Sequence, residues 1–234
     1  MIKATVILIP IGIAEDGYDS LPAYISEYIN SCDIFFVENL RTARRAFKKL
    51  DRHFDIDAKE WHEIDKNEAA LIPVFTKAMD ASKTIGIASE SGCPGIADPG
   101  QILVGLAQKN NIPVKPLVGP SSILLTLMAS GLNGQSFAFN GYLPIHEADR
   151  AKKIKLLESK SIKENSTQLF IETPYRNNQL FQSLLKNLGE NTAVCIASQV
   201  TSKEEWIKTK TVMDWKKSNA DIPKQPTLFA IGSL

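Results

Sequence analysis

Residues 84–107 read TIGIASESGCPGIADPGQILVGLA. Thr84 to Ala88 is a short β-rich run, Ser89 to Gly100 is a loop of glycine, proline and serine, and Ile102, Leu103, Leu106 and Ala107 share one face of a helix. Asp98-Pro99 is placed to open that helix, since proline's missing amide is no loss in a first turn. Strand, loop and helix in this order is the unit of parallel sheets covered by helices. The alternation continues in both directions. Toward the N-terminus, strands are expected at Thr5 to Ile9 and Ile34 to Val37, with one helix capped by Ser20 ahead of Pro22 and another preceded by Asn67. Toward the C-terminus, strands are expected at Pro113 to Leu117, Ser136 to Phe139, Gln168 to Ile171, Ala193 to Ala197, near Trp206 to Lys210, and at Thr227 to Ile231. Helices are expected from Pro120 to a left-handed stop at Gly131, from about Asp149, and from Pro174 to Leu188 before Gly189. The fold class is therefore α/β, as two α/β domains at 1–117 and 118–234, although one continuous sheet satisfies the same periodicity.

The 234 residues carry 27 Lys and Arg against 26 Asp and Glu, a formal charge of +1. No overall field dictates a nucleic-acid or membrane partner, so such a partner must be met by a local patch. With 44% hydrophobic and 23% charged residues, fibrous and disordered classes are excluded. Cys32, Cys93 and Cys195 are odd in number and far apart, which suggests neither a disulfide framework nor a metal site and fits a reducing cytoplasm. Thr5 to Ala14 behind Met1-Ile2-Lys3 is like a signal peptide only superficially. Pro10 and Gly12 interrupt it and Glu15-Asp16-Gly17 follows, so it reads as a buried strand. No apolar run approaches the roughly 20 residues of a membrane span, so no membrane role is expected.

Ligands of open α/β sheets bind beyond the carboxyl ends of strands, which directs attention to Pro10-Ile11-Gly12, to Ser89–Gly100 and to Val118–Ser122. Small residues there let a backbone approach a ligand and offer its amides. Gly95 to Gly100 matches half of a P-loop, but Gln101-Ile102 replaces the Lys and Ser/Thr, and Pro99 removes an amide. Gly12 and Gly17 stand too far apart for a dinucleotide fingerprint. A nucleoside triphosphate or NAD is thereby disfavoured.

SESGCPGIADPG (89–100), PLVGPSSILLTLMASGL (116–132), FNGYLP (139–144) and IETPYR (171–176), in this order, resemble the tetrapyrrole methylase superfamily. Within it the chain is similar to the ribosomal RNA small-subunit methyltransferases that act on a cytidine ribose 2'-oxygen, from Pro10 to about Glu205. The resemblance implies S-adenosyl-L-methionine as methyl donor, a cleft between two α/β domains, and a homodimer. Carried over by position, it places Pro10, Gly12, Ser89, Glu90, Ser91, Gly92, Ile96 and Ala97 beside the donor, with Ser121 and Ser122 adding polar contacts. The same serines could instead cap the helix that follows. Glu172, Thr173, Ala197, Ser198, Pro226 and Thr227 fall where the family lines its adenine pocket. The chain departs from the branch's TPIGN, EDTR and SDAGTP, showing IPIG followed by Ile13, Glu38-Asn39-Leu40-Arg41, and Ser89-Glu90-Ser91-Gly92-Cys93-Pro94. These departures touch the acceptor side more than the donor side.

No dedicated catalytic dyad is obligatory for transfer from a sulfonium, but a ribose hydroxyl is a weak nucleophile, and a carboxylate or imidazole within hydrogen-bond reach could accept its proton. Glu38, Glu90 and His62 are candidates. Arg41, three residues after Glu38, forms either part of the site or a structural ion pair with it. Arg41, Arg44, Arg45, Lys48, Lys49 and Arg52, opposed only by Asp51, could follow an RNA backbone. A second run holds Arg150, Lys152, Lys153, Lys155, Lys160 and Lys163 around Glu158, and both runs could equally be solvated helix faces. Cys93 is assigned small size, not reactivity. Two other functions compete with RNA methylation: methylation of a tetrapyrrole precursor, and binding of cofactor or RNA without transfer.

Overall fold

The computed structural model describes residues 4–64, 67–218, 220–222 and 224–234, so Met1-Ile2-Lys3, the charged front of the signal-like stretch, lies outside the described residues. The chain divides into two compact units, Met1–Ser121 and Ser122–Leu234.

In the first unit β1 (Thr5–Leu8), β2 (Ile34–Val37), β3 (Glu60–Glu63), β4 (Thr84–Ala88) and β5 (Val114–Pro116) form a sheet in the order β3-β2-β4-β1-β5. Every pairing is parallel. The helices α1 (Ile25–Ser31) and α2 (Leu40–Leu50) cover one face, where Ile25, Ile29, Ala43 and Phe47 meet Ile7, Phe35 and Val37. On the other face α3 (Ile72–Asp80) and α4 (Gln101–Lys109) bring Phe75, Ala78, Leu103 and Ala107 against Val6, Ile34, Phe36 and Ile85. With both faces covered, the central strands are apolar throughout instead of alternating. Phe35 lies opposite Gly86, and a Cβ at Gly86 would sit 2.5 Å from the Phe35 ring. The missing side chain is what admits the aromatic cluster of Phe35, Phe47, Phe54 and Trp61.

Chain direction positions the site. From β1 and β2 the chain moves toward the β3 edge, and from β4 toward the β5 edge. Right-handed crossovers then send α1 and α2 to one face and α4 to the other, so the exits of β2 and β4 diverge. A crevice opens at the carboxyl ends of these strands.

The second unit corrects the expectation of a parallel sheet. β6 (Phe137–Tyr142) and β7 (Thr167–Glu172) pair in parallel, but β8 (Ala193–Ser198), β9 (Trp206–Thr211) and β10 (Thr227–Gly232) complete a mixed sheet ordered β6-β7-β10-β8-β9. β10 runs antiparallel to both β7 and β8, and β9 antiparallel to β8. The connection 199–205 is too short for a helical crossover, which takes about a dozen residues, so β8 and β9 form a hairpin. The helix α5 (Ser122–Ser130) covers one face through Ile123 and Leu127, while α6 (Glu147–Glu164), α7 (Asn177–Asn187) and α8 (Val212–Lys216) cover the other through Ile154, Leu184 and Trp215.

Further expectations shift. The helix read from Asp98-Pro99 starts at Gln101, because Ala97 (φ 65°) and Gly100 (φ 116°) hold the chain outside helical space. Its first amides are satisfied from a distance: Glu68 accepts from Gly100 N at 3.2 Å and Leu103 N at 2.9 Å. Ser20 caps no helix. Its hydroxyl donates to the Gly17 carbonyl at 2.6 Å in a 3-10 turn, and α1 begins at Ile25. No helix among the described residues is long and apolar enough to cross a membrane.

Candidate active site

Three loops meet at the carboxyl edge of the first sheet. Ile11, after β1, and Gly92, after β4, exchange backbone hydrogen bonds at 2.9 and 3.0 Å. Gly92 adopts φ +69°, which suits glycine, and its amide and carbonyl are both consumed by this exchange. It shapes the loop, and its amide is engaged within the protein. The loop after β5 closes on the same place, where a Cβ at Gly119 would lie 2.2 Å from Pro10 Cβ. Cys93 Sγ faces the carbonyls of Gly119 and Pro120 at 3.8 and 3.4 Å. Burial first, and then the Asp98 charge, pushes its thiol up.

The structure brings Glu38 and Glu90 together. Glu38 Oε2 accepts the Glu90 amide at 2.8 Å, and Thr42 Oγ1 donates to Glu90 Oε1 at 3.3 Å. Among the described residues Glu38 and Arg41 form no ion pair, and Arg41 stands exposed in the first turn of α2. Asn39 caps that helix, its side-chain oxygen accepting from Thr42 N at 2.9 Å, so the departure from EDTR keeps a competent cap. Sequence reasoning missed Asp98 as a site residue, because Asp-Pro reads as a helix opener. Half-burial, with the charges of Glu38 and Glu90 behind it, pushes its carboxyl up to about 6 against the opposing Ser89 hydrogen bond. The buried Ser89 hydroxyl has the Ser91 carbonyl, at 3.0 Å, as its alternative acceptor.

His62 is placed elsewhere. It stacks on Phe36 and bonds Glu60 at 2.9 Å, beside a separate cavity of about 290 Å3 lined by Ile34, Lys77 and Lys83 near the amino edge of the sheet. Lys83, then His62, holds the Glu60 carboxyl below its ordinary range.

A pocket of about 420 Å3 lies between the loop after β1 and α2, lined by Gly12, Ala14, Glu15, Tyr18, Arg41, Thr42, Arg45, Lys49, Glu90 and Ser91 among others. The basic helix is thus split. Arg41 and Arg45 face this pocket, whereas Arg44 lies 5.2 Å from the Trp61 ring centroid and Lys48 donates to the Arg52 carbonyl at 3.2 Å. In the second run Arg150 is buried, bonding the Ile145 carbonyl at 2.7 Å and Ser183 Oγ at 3.2 Å, while Lys152, Lys155, Lys160 and Lys163 are exposed on α6.

In the second unit the expected adenine residues gather at one edge of the sheet. Register pairs Thr227 with Glu172 on one side and Ser198 on the other, and Leu228 with Ala197. Thr227 Oγ1 donates to Ser198 Oγ at 3.2 Å and accepts from Asn177 Nδ2 at 3.1 Å. Glu172 Oε1 takes Arg176 Nη2 at 2.7 Å, Arg176 Nε at 2.9 Å and the Thr173 amide at 2.6 Å. Ser122 begins α5 and Ser121 precedes it.

The family model for tetrapyrrole (corrin/porphyrin) methylases matches residues 5–214. The chain belongs to this family. Among relatives of this chain, a Vibrio cholerae protein named ribosomal RNA small subunit methyltransferase I is 34% identical over 182 residues, covering 78% of this chain and 60% of the relative. A Mesorhizobium japonicum protein of the same name is 29% identical over 209 residues, covering 88% and 68%. The chain thus spans about 60% of the length of the Vibrio cholerae relative. Its fold is shared with a solved diphthine synthase, at 14% identity and TM-score 0.65, covering 98% of this chain and 90% of that one. A Thermus thermophilus uroporphyrin-III C-methyltransferase complexed with S-adenyl homocysteine aligns at 12% identity and TM-score 0.56, covering 98% and 97%.

Proposed function

We propose that this methylase transfers a methyl group from S-adenosyl-L-methionine to small-subunit ribosomal RNA, at the ribose 2'-oxygen of a cytidine, and that it works as a homodimer in the cytoplasm. The likeness over 78% of the chain to a relative named for that RNA carries the reading. The first unit would supply the acceptor side. Its donor contacts would be Pro10, Gly12, Ser89 to Gly92, Ile96 and Ala97, with Ser121 at its end. The loop fits an organic ligand laid against it: a Cβ at Gly95 would meet nothing within 4 Å, and Ile96 and Ala97 are exposed. In the second unit Ser122, Glu172, Thr173, Ala197, Ser198, Pro226 and Thr227 would contact the donor, with adenine read by the row centred on Thr227.

The donor supplies a methyl already activated by its sulfonium, which leaves the protein to align the acceptor and take up a proton. Glu90 is exposed at the crevice and is the proposed proton acceptor, Glu38 fixes its backbone, and Arg41 faces the RNA. Arg44, Arg45, Lys48 and Lys49 add to the positive face that meets phosphates. Ribose-methylation maps of ribosomal RNA from cells with and without this protein test the proposal; one cytidine is expected to lose its methyl, and identical maps would remove RNA as acceptor. A parallel incubation with a tetrapyrrole precursor separates the runner-up substrate.

A further inference from the structure

We infer that the 420 Å3 pocket beside α2 holds one nucleotide of the acceptor strand, with its phosphate at Arg41 and Arg45 and its ribose against Glu90. This rests on the RNA reading above and assigns it a place. The volume lies within the range of small-molecule sites. Arg41 and Arg45 are one turn apart on α2, so both guanidinium groups reach the same wall, and a planar fork suits phosphate oxygens. Lys49, the third cation, adds its charge from a fixed position. Its ammonium sits 4.4 Å from the Tyr18 ring centroid and donates to the Glu15 carbonyl at 3.0 Å. Gly12 lies against that ring too, since a Cβ there would be 3.2 Å from it, so Tyr18 is a fixed wall. Arg45 meets the Glu15 carboxylate at 3.7 Å with both side chains exposed, a weak pair that a phosphate displaces readily. Glu90 lines the same pocket, its Oε1 3.3 Å from Thr42 Oγ1, where its carboxylate repels phosphate and can take up a hydroxyl proton.

The test is calorimetric titration of the full chain with cytidine 5'-monophosphate and with cytidine at low salt. The phosphorylated ligand is expected to bind about tenfold tighter or more, as charge-assisted bonds to two arginines imply. Arg41→Gln and Arg45→Gln should each shrink that preference, Glu15→Gln should enlarge it, and Lys109→Gln, a matched charge loss on α4, should leave it alone. Equal affinities, no binding of either ligand, or a preference that survives the Arg41→Gln/Arg45→Gln double variant overturns the inference. A short oligoribonucleotide should displace the mononucleotide; failure to do so contradicts the RNA assignment. Transfer activity is measured separately, so the pocket and the reaction fail independently.

Discussion

The Glu38 carboxylate accepts the Glu90 amide at 2.8 Å, tying the end of β2 to the loop that leaves β4. This bond holds the proposed proton acceptor at the point where the two exits diverge. Glu38→Ala is expected to lower transfer about tenfold or more and to cost about 1 kcal/mol of stability, the worth of one hydrogen bond. Glu38→Gln, whose amide oxygen still accepts, should keep most of both. Steady-state transfer and urea unfolding of the two variants give the comparison, and equal losses in both would point to chemistry by Glu38 itself.

Gly119 and Gly95 separate steric from conformational need. A methyl at Gly119 collides with Pro10, so Gly119→Ala should destabilise by about 1–3 kcal/mol through overpacking. At Gly95 a methyl has open space but φ is +78°, so Gly95→Ala should cost about 1 kcal/mol from the left-handed backbone alone. Thermal melts of both should show the larger fall for Gly119→Ala.

Asp98 makes stability depend on pH. Its folded value of about 6 lies above the ordinary 3.8, so the folded chain holds this proton more tightly than the unfolded chain. Stability from this group is full below the ordinary value and falls as pH rises through about 6. Asp98→Asn removes that slope. It should therefore gain on the parent at about pH 8 relative to about pH 4, as read by chemical unfolding at both. A constant difference between the two proteins across that range would contradict the placement of Asp98.

Glu68 caps α4 from another element. Glu68→Ala frees the Gly100 and Leu103 amides and should cost about 1–2 kcal/mol, with faster amide exchange in the first turn of α4. Unchanged exchange at Leu103 would show that another group satisfies it.

Where local pattern and tertiary pairing agree, as in β1, β2, β4 and α2, the elements are legible in the chain. β3 is not, because Glu60–Glu63 carries no apolar alternation and is a strand only through its pairing with β2. The insertion of β10 between β7 and β8 is equally silent, since strand order is a property of distant partners. Glu38 and Glu90 stand out by following strands directly. Asp98 does not, because its role comes from half-burial beside two other carboxylates, and His62, expected near them, is drawn to the Phe36 ring by strand register. The split of the basic helix, with Arg44 on Trp61 and Arg41 with Arg45 at the pocket, depends on which neighbours each face meets.

The proposed methyl transfer from a sulfonium donor to RNA is read from small ribosomal subunits purified from cells lacking the protein and incubated with it and radiolabelled S-adenosyl-L-methionine. Stoichiometric label is expected in the RNA at a cytidine ribose, abolished by Glu90→Ala. Label confined to a base or to protein, or none in subunits while a tetrapyrrole precursor is methylated, would contradict it.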